Sequence, residues 1–276
     1  MTSRAHRRDI PAALAHRGFC PEGAENTVEA FRAARDLGYE WVETDVNTTA
    51  DGVVLSFHDE TLDRVTAGSG KVSALSWEQI RAERVAGAGG IPRLADLLTE
   101  LPGLKFNLDV KDEASVTALP ALLHELGAVE RVRVTSFSES RRRRTLRRIR
   151  ELEGRSVPTS SGKEGMRLLL VCSWLGGPSW RLARRAVARW IEPFDTVQIP
   201  RCYRPRGGPE VRLVTPRFID FAHRHGIDVH VWTVNETDEM AELLELGVDG
   251  IVTDRADRLA SLLARRGQWP PRSREP

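Results

Sequence analysis

The sequence predicts an α/β chain closed into a (β/α)8 TIM barrel, with a short β-hairpin arm after strand 2, and three observations carry the prediction. Short apolar runs recur along the chain between segments of helical periodicity, the pattern of βα units and a parallel sheet. The ends of several runs carry His16, Glu43, Asp45, Asp109 and Lys111, and a barrel draws its reacting groups from the C-terminal ends of its strands. A length of 276 residues suits one such barrel around one core.

Taken in order, the predicted barrel strands are 12–15, 41–46, 104–110, 131–137, 156–160, 195–200, 228–234 and 249–254. A ninth apolar run, 53–57, follows the second strand across Asp51-Gly52, too close for a helical crossover. The Asp-Gly pair is a hairpin signal, so this run reads as an antiparallel arm outside the barrel count. Helix 27–38 ends on Gly38, and helix 215–226 has Pro216 near its start and Gly226 at its end. The stretch 76–101 reads as a Gly-rich loop followed by a helix starting near Pro92. Within 161–194, MRLLLVCSWL fits a buried strand or a helix equally well, because periodicity does not separate the two in a short apolar run. One domain over 10–265 is expected, with terminal tails at 1–9 and 266–276, the last of them polar and Pro-rich.

Hydrophobic residues make up 41% and charged residues 29%, as in soluble globular proteins. The net charge of +2 gives no global reason to expect nucleic acid as a partner. No apolar run approaches the roughly 18 residues of a membrane span, and the first residues carry no secretory apolar core, so a cytoplasmic protein is expected. Cys20, Cys172 and Cys202 are odd in number and lack metal-ligand spacing, which predicts free thiols.

Residues two apart on a strand point the same way, so Glu43 with Asp45, and Asp109 with Lys111, converge on one side of the barrel mouth. Three converging carboxylates repel one another unless a cation neutralises them. Hard oxygen donors suit Mg2+, Ca2+ or Mn2+, so a divalent metal ion is expected. His16 and His58 have the right intrinsic pKa to exchange protons near neutrality, and Arg17 and Lys111 supply cationic donors for a phosphate. Together these groups point to phosphoryl transfer.

The stretches AHRG (15–18), AENTVEAF (24–31), ETDVNTTADGVVLSFHDETLDRVT (43–66), IPRLADLL (91–98), LDVK (108–111), VHVWTVN (229–235) and GVDGIVTD (247–254), with SWEQIRA (76–82) and TSF (135–137), run in one order along the chain. In that order the chain resembles the glycerophosphodiester phosphodiesterase family. The resemblance implies a metal-dependent hydrolase that takes a small-molecule glycerophosphodiester to sn-glycerol 3-phosphate and an alcohol. It implies Glu43, Asp45 and Asp109 as metal ligands and His16 and His58 as the general acid/base pair. Arg17 and Lys111 would hold phosphate oxygens, Glu25 and Asn26 would support the phosphate and metal shell, and Trp232 would line the glycerol pocket. Two departures stand out: Ala24 where the family has Pro, and Asp109 where it has Glu. The related sphingomyelinase D and phospholipase D toxins share this chemistry but are secreted and disulfide-bonded. A lysophospholipase D activity, or a silent barrel that binds a phosphorylated metabolite, are the alternatives.

Other polar residues have plainer readings. Asp59 and Asp63 read as turn and cap groups of the loop after His58, and Asp254 as the N-cap of the last helix. Gln198 ends a strand and reads equally as substrate-facing or not. The run Arg141–Arg144 with Arg147, Arg148 and Arg150 reads as a solvated helix face, with transient contact to a lipid surface as its sharper alternative and no nucleic-acid role.

Overall fold

The computed structural model describes residues 10–270. Seven parallel strands form the barrel wall: β1 (Ala12–His16), β2 (Trp41–Thr48), β4 (Lys105–Val110), β5 (Val132–Thr135), β6 (Thr196–Ile199), β7 (Asp228–Val231) and β8 (Gly250–Thr253). They pair in the order β5-β4-β2-β1-β8-β7-β6. The expected strand at 156–160 is reduced to two parallel bridges, Val134 to Thr159 and Ser160 to Thr196, which join β5 to β6 and close the ring. Pro158 and three serines (156, 160 and 161) explain the weak ladder, since proline donates no bond and hydroxyls compete for the backbone. The hairpin expectation holds: β3 (Val54–Ser56) runs antiparallel to β2, with Val46 opposite Ser56.

Around the wall lie α1 (Val28–Asp36), α2 (Leu94–Glu100), α3 (Ser115–Glu125), α4 (Glu139–Glu153), α5 (Lys163–Leu175), α6 (Gly177–Val187), α7 (Pro216–Arg224), α8 (Thr237–Leu246) and α9 (Ala256–Arg265). Thr27 caps α1 by accepting from Ala30 N, and Thr215 does the same for α7 from Phe218 N. The ambiguous run 166–175 is helical. It buries Leu169 and Cys172 while leaving Val171, Trp174 and Leu175 outside, so its apolar residues mark both faces.

Two cores result. One fills the layer between strands and helices, and a separate cluster of Leu55, Phe57, Leu62, Val72, Ile80 and their neighbours lies under the hairpin arm. The expected tail from 266 is corrected at Trp269, whose ring meets Tyr39 edge-on at 4.8 Å and whose Nε1 donates to Leu37 O at 3.1 Å. An indole buries too much apolar area to stay in water when a hydrophobic seat is in reach. Residues 1–9 and 271–276 of the two expected tails lie outside the described residues.

Candidate active site

Register places the acids. Asp45 and Asp109 are direct neighbours on β2 and β4, Glu43 faces Asn107 one layer deeper, and His16 at the end of β1 is in register with Glu43. These side chains open into a cleft of about 530 Å³ at the C-terminal ends of the strands, also lined by Arg17, His58, Lys111 and Trp232. Glu25 and Asn26 stand behind this lining: Glu25 accepts from Arg17 Nη1 at 2.8 Å, and Asn26 is buried with its Oδ1 accepting from Thr44 Oγ1 at 2.8 Å. Arg17, Gly18 and Asn26 all have positive φ, of 57°, 86° and 58°. Such strain persists where surrounding bonds hold it, here the Asn26 N to Arg17 O bond at 2.9 Å. Gly18 is obligatory, because a Cβ there would stand 2.7 Å from the Ala30 backbone.

Each histidine is oriented through Nδ1. His16 Nδ1 lies 2.6 Å from Asp254 Oδ1, and His58 Nδ1 lies 2.5 Å from Asp59 Oδ1. A carboxylate only accepts, so the Nδ1 proton is fixed on both rings and Nε2 is left for the cleft. Asp254 is held in turn by Asn235 Nδ2 at 2.9 Å, and Asp59 by the guanidinium of Arg64, which also binds Glu25 at 2.6 Å. A relay of charge therefore runs from Arg17 through Glu25, Arg64 and Asp59 to His58.

These contacts correct two readings. Asp254 does not cap α9, whose N-cap is Arg255, and Asp59 is more than a turn residue. Both sit immediately after a strand end or beside a site histidine, a signal the sequence already carried. Asp63 keeps its turn role, accepting from Gly70 N at 3.4 Å. Gln198 lines the cleft and donates to Asn107 Oδ1 at 3.1 Å across the barrel. Phe137, Lys163 and Arg167 also line it and were not singled out by sequence. Phe137 meets Trp232 edge-on at 5.7 Å, and the ammonium groups of Lys111 and Lys163 lie over its ring at 5.4 and 5.2 Å.

The acids are crowded. Burial, reinforced by Asp45, pushes Glu43 up to about 8, and burial likewise raises Asp109 although Lys111 opposes it. Asp45 is lowered: burial disfavours its charge, but Lys111, His58 and Arg17 outweigh that penalty. For His16, burial favours the neutral ring, yet the bond to Asp254 and the charge of Glu43 raise it above the ordinary value. Lys111 Nζ bridges Asp45 and Asp109 at 2.8 and 2.6 Å. Even so, Glu43 Oε2, Asp45 Oδ2 and Asp109 Oδ1 are buried without hydrogen-bond partners. The 3.3 Å ion pair of Arg17 Nε with Asp45 Oδ2 is too poorly aligned to satisfy either atom. By donor type and unmet charge these oxygens fit a hard divalent cation. By spacing they are not a finished cage, since among the described residues no three His, Cys, Asp or Glu side chains converge closely enough to chelate an ion.

The Arg run of α4 is a solvated face at Arg147 and Arg148, as expected, but that reading is corrected at Arg142. Arg142 is fully buried against Glu139, Arg144 pairs with Glu113, Arg150 with Glu192, and Arg148 with Glu151. Cys20, Cys172 and Cys202 are free, and no helix among the described residues is long and apolar enough to cross a membrane.

Known proteins resemble this chain in sequence and in fold. The chain is 38% identical over 260 residues to the probable glycerophosphodiester phosphodiesterase 2 of Mycobacterium tuberculosis, covering 93% of this chain and 92% of that protein. The fold matches the glycerophosphodiester phosphodiesterase of Agrobacterium tumefaciens with a TM-score of 0.70 at 22% identity, covering 92% of this chain and all of the other. It also matches a phosphodiesterase of Oleispira antarctica in complex with the product sn-glycerol-3-phosphate, with a TM-score of 0.69 at 19% identity, covering 92% of this chain and 97% of that one. The sequence profile of the Glycerophosphoryl diester phosphodiesterase family matches residues 16–258, nearly the whole barrel. The resemblance carried by the ordered motifs is thus shown, and the chain belongs to the glycerophosphoryl diester phosphodiesterase family.

Proposed function

We propose that this chain hydrolyses glycerophosphodiesters to sn-glycerol 3-phosphate and an alcohol, with His16 and His58 as the proton-transfer pair. The observation that carries the reading is the pairing of two imidazoles, each with Nδ1 tied to an aspartate, across one acidic and cationic cleft. One ring takes the proton of the nucleophile, water or a neighbouring substrate hydroxyl, and the other gives a proton to the leaving alkoxide. Arg17 and Lys111 hold the phosphate oxygens, with Glu25 and Asn26 supporting them and Trp232 walling the glycerol end. Glu43, Asp45 and Asp109 would hold a divalent ion, Mg2+, Ca2+ or Mn2+, which would neutralise them and polarise a phosphoryl oxygen. Three free cysteines accord with a reducing, cytoplasmic setting.

The test is release of glycerol 3-phosphate from a panel of diesters after chelation and re-addition of each ion. His16→Ala and His58→Ala should each lower turnover by about 10²- to 10⁴-fold. No release from any diester with any ion would overturn the reading.

A second substrate class has one observation in its favour. The cleft wall built by Met166, Leu170, Leu213 and Tyr203 is apolar and opens to the surface, which suits a lysophospholipid that keeps one acyl chain. A higher kcat/KM for lysophospholipids than for their deacylated forms would favour it; the reverse order would dismiss it.

A further inference from the structure

Between Gly165 and Ile191 the chain carries five arginines (167, 181, 184, 185 and 189) and no Asp or Glu, although its net charge is only +2. This segment is α5, the Gly176 joint and α6. It also holds most of the large apolar side chains left in water: Val171, Trp174, Leu175, Leu182 and Trp190 are 53–73% exposed. On α5, Arg167, Val171 and Trp174 fall at i, i+4 and i+7, opposite the inward face of Leu169 and Cys172. On α6, Trp180 turns inward and Leu182 with Arg185 turns outward. Arg217 stacks over the Trp174 ring at 5.3 Å and Arg189 over Trp190 at 4.0 Å, which adds cationic rims to the apolar patch. None of the five segment arginines has a carboxylate partner among the described residues, in contrast to the paired arginines of α4.

We propose that the outer face of α5–α6 is a docking surface for an anionic lipid bilayer. Exposed Trp and Leu beside unpaired Arg are the composition that lies in a headgroup region: apolar side chains enter the acyl boundary while guanidinium groups stay with the phosphates. A second copy of this chain is the poorer occupant, because apposing two such faces brings ten arginines together with no acid from this segment to offset them. A nucleic acid would use the charge but give Val171, Leu175 and Leu182 nothing to bury against. The flank of the same helix next to the exposed face lines the cleft through Met166, Arg167 and Leu170, so docking would bring the barrel mouth to the lipid surface. This surface stands apart from the proposed hydrolysis, since Trp174, Leu182, Arg181, Arg184 and Arg185 do not line the cleft.

The test is co-sedimentation of the full chain with vesicles of phosphatidylcholine, alone or mixed with phosphatidylglycerol. Partition should require phosphatidylglycerol and fall as salt rises. Arg181→Gln with Arg184→Gln and Arg185→Gln should weaken it roughly 100-fold, about fivefold per charge. Trp174→Ser with Leu182→Ser should also weaken it, while both variants hydrolyse a soluble diester at the wild-type rate. Absence of partition by the wild type overturns the proposal without recourse to variants. So does partition that the arginine variant leaves unchanged, self-association that the Trp174→Ser, Leu182→Ser variant abolishes, or capture by DNA without vesicle binding.

Discussion

Asp254 and Asp59 act on the site through the rings they hold, since a carboxylate on Nδ1 fixes both the tautomer and the angle of an imidazole. Asp254→Asn and Asp59→Asn are expected to lower kcat by about 10- to 100-fold while leaving KM and Tm close to wild type. A variant that loses Tm in proportion to kcat would make its aspartate a packing residue only. A different titration belongs to the far end of the barrel, where His223 Nε2 lies 2.7 Å from buried Asp249. That bond raises the His223 pKa against the opposing effect of burial, and Asp228 and Asp220 act in the same upward sense. The folded state then favours the cation, so the contribution is full below the unfolded value of about 6.5 and fades as pH rises through the higher folded value. The Tm gap between wild type and His223→Gln should be wide near pH ~5 and narrow near pH ~9. A gap that does not change with pH would refute this.

Helix α4 shows how charge patterning misleads at the level of an element. Its arginines look alike in sequence, yet Arg142 is fully buried and reaches Glu139, Thr159 and the carbonyls of Glu192 and Pro193. It ties the helix to the weak fifth edge of the barrel. Arg142→Met removes one half of a buried pair and is expected to cost about 3–5 kcal/mol in urea denaturation. Adding Glu139→Leu should recover only part, because Glu139 also accepts from the amides of Gly162 and Glu192. Full recovery would show that those amides are indifferent. The strands were legible because their helix-facing positions are apolar: β8 reads as a short apolar run, and β4 alternates Phe106, Leu108 and Val110 with the buried polar Asn107 and Asp109. The edge at Thr159 and Ser160 was less so, being held by two bridges and a helix rather than by a ladder. The α5–α6 pair was illegible in register for a different reason: periodicity assumes that apolar residues point inward, and here Trp174 and Leu182 do not. Among site residues, barrel geometry pointed to those at strand ends. Of the histidines' partners, Asp59 stands next to His58 in the chain, whereas Asp254 looks like a helix cap until the fold brings the ring of His16, 238 residues away, to it.

For the molecule as a whole, the barrel supplies His16, the three acids and Lys111 from one continuous wall, whereas His58 comes from just beyond β3, over the second core of Leu55, Phe57, Ile80 and Ile91. The two histidines proposed to transfer protons are therefore divided between two hydrophobic clusters of unequal size. Small hydrophobic clusters open at lower free energy than the core of a full domain, in units that exchange with solvent on their own. Warming should accordingly silence catalysis reversibly at a temperature where the barrel's circular dichroism is still native, and amides across 54–92 should exchange before those of β2 and β8. Simultaneous loss of turnover and dichroism would mean that the arm and the wall melt as one. If the arm does open first, the thermal limit of this enzyme is set by the few apolar side chains beneath His58, and reinforcing them would extend its working range without touching the barrel.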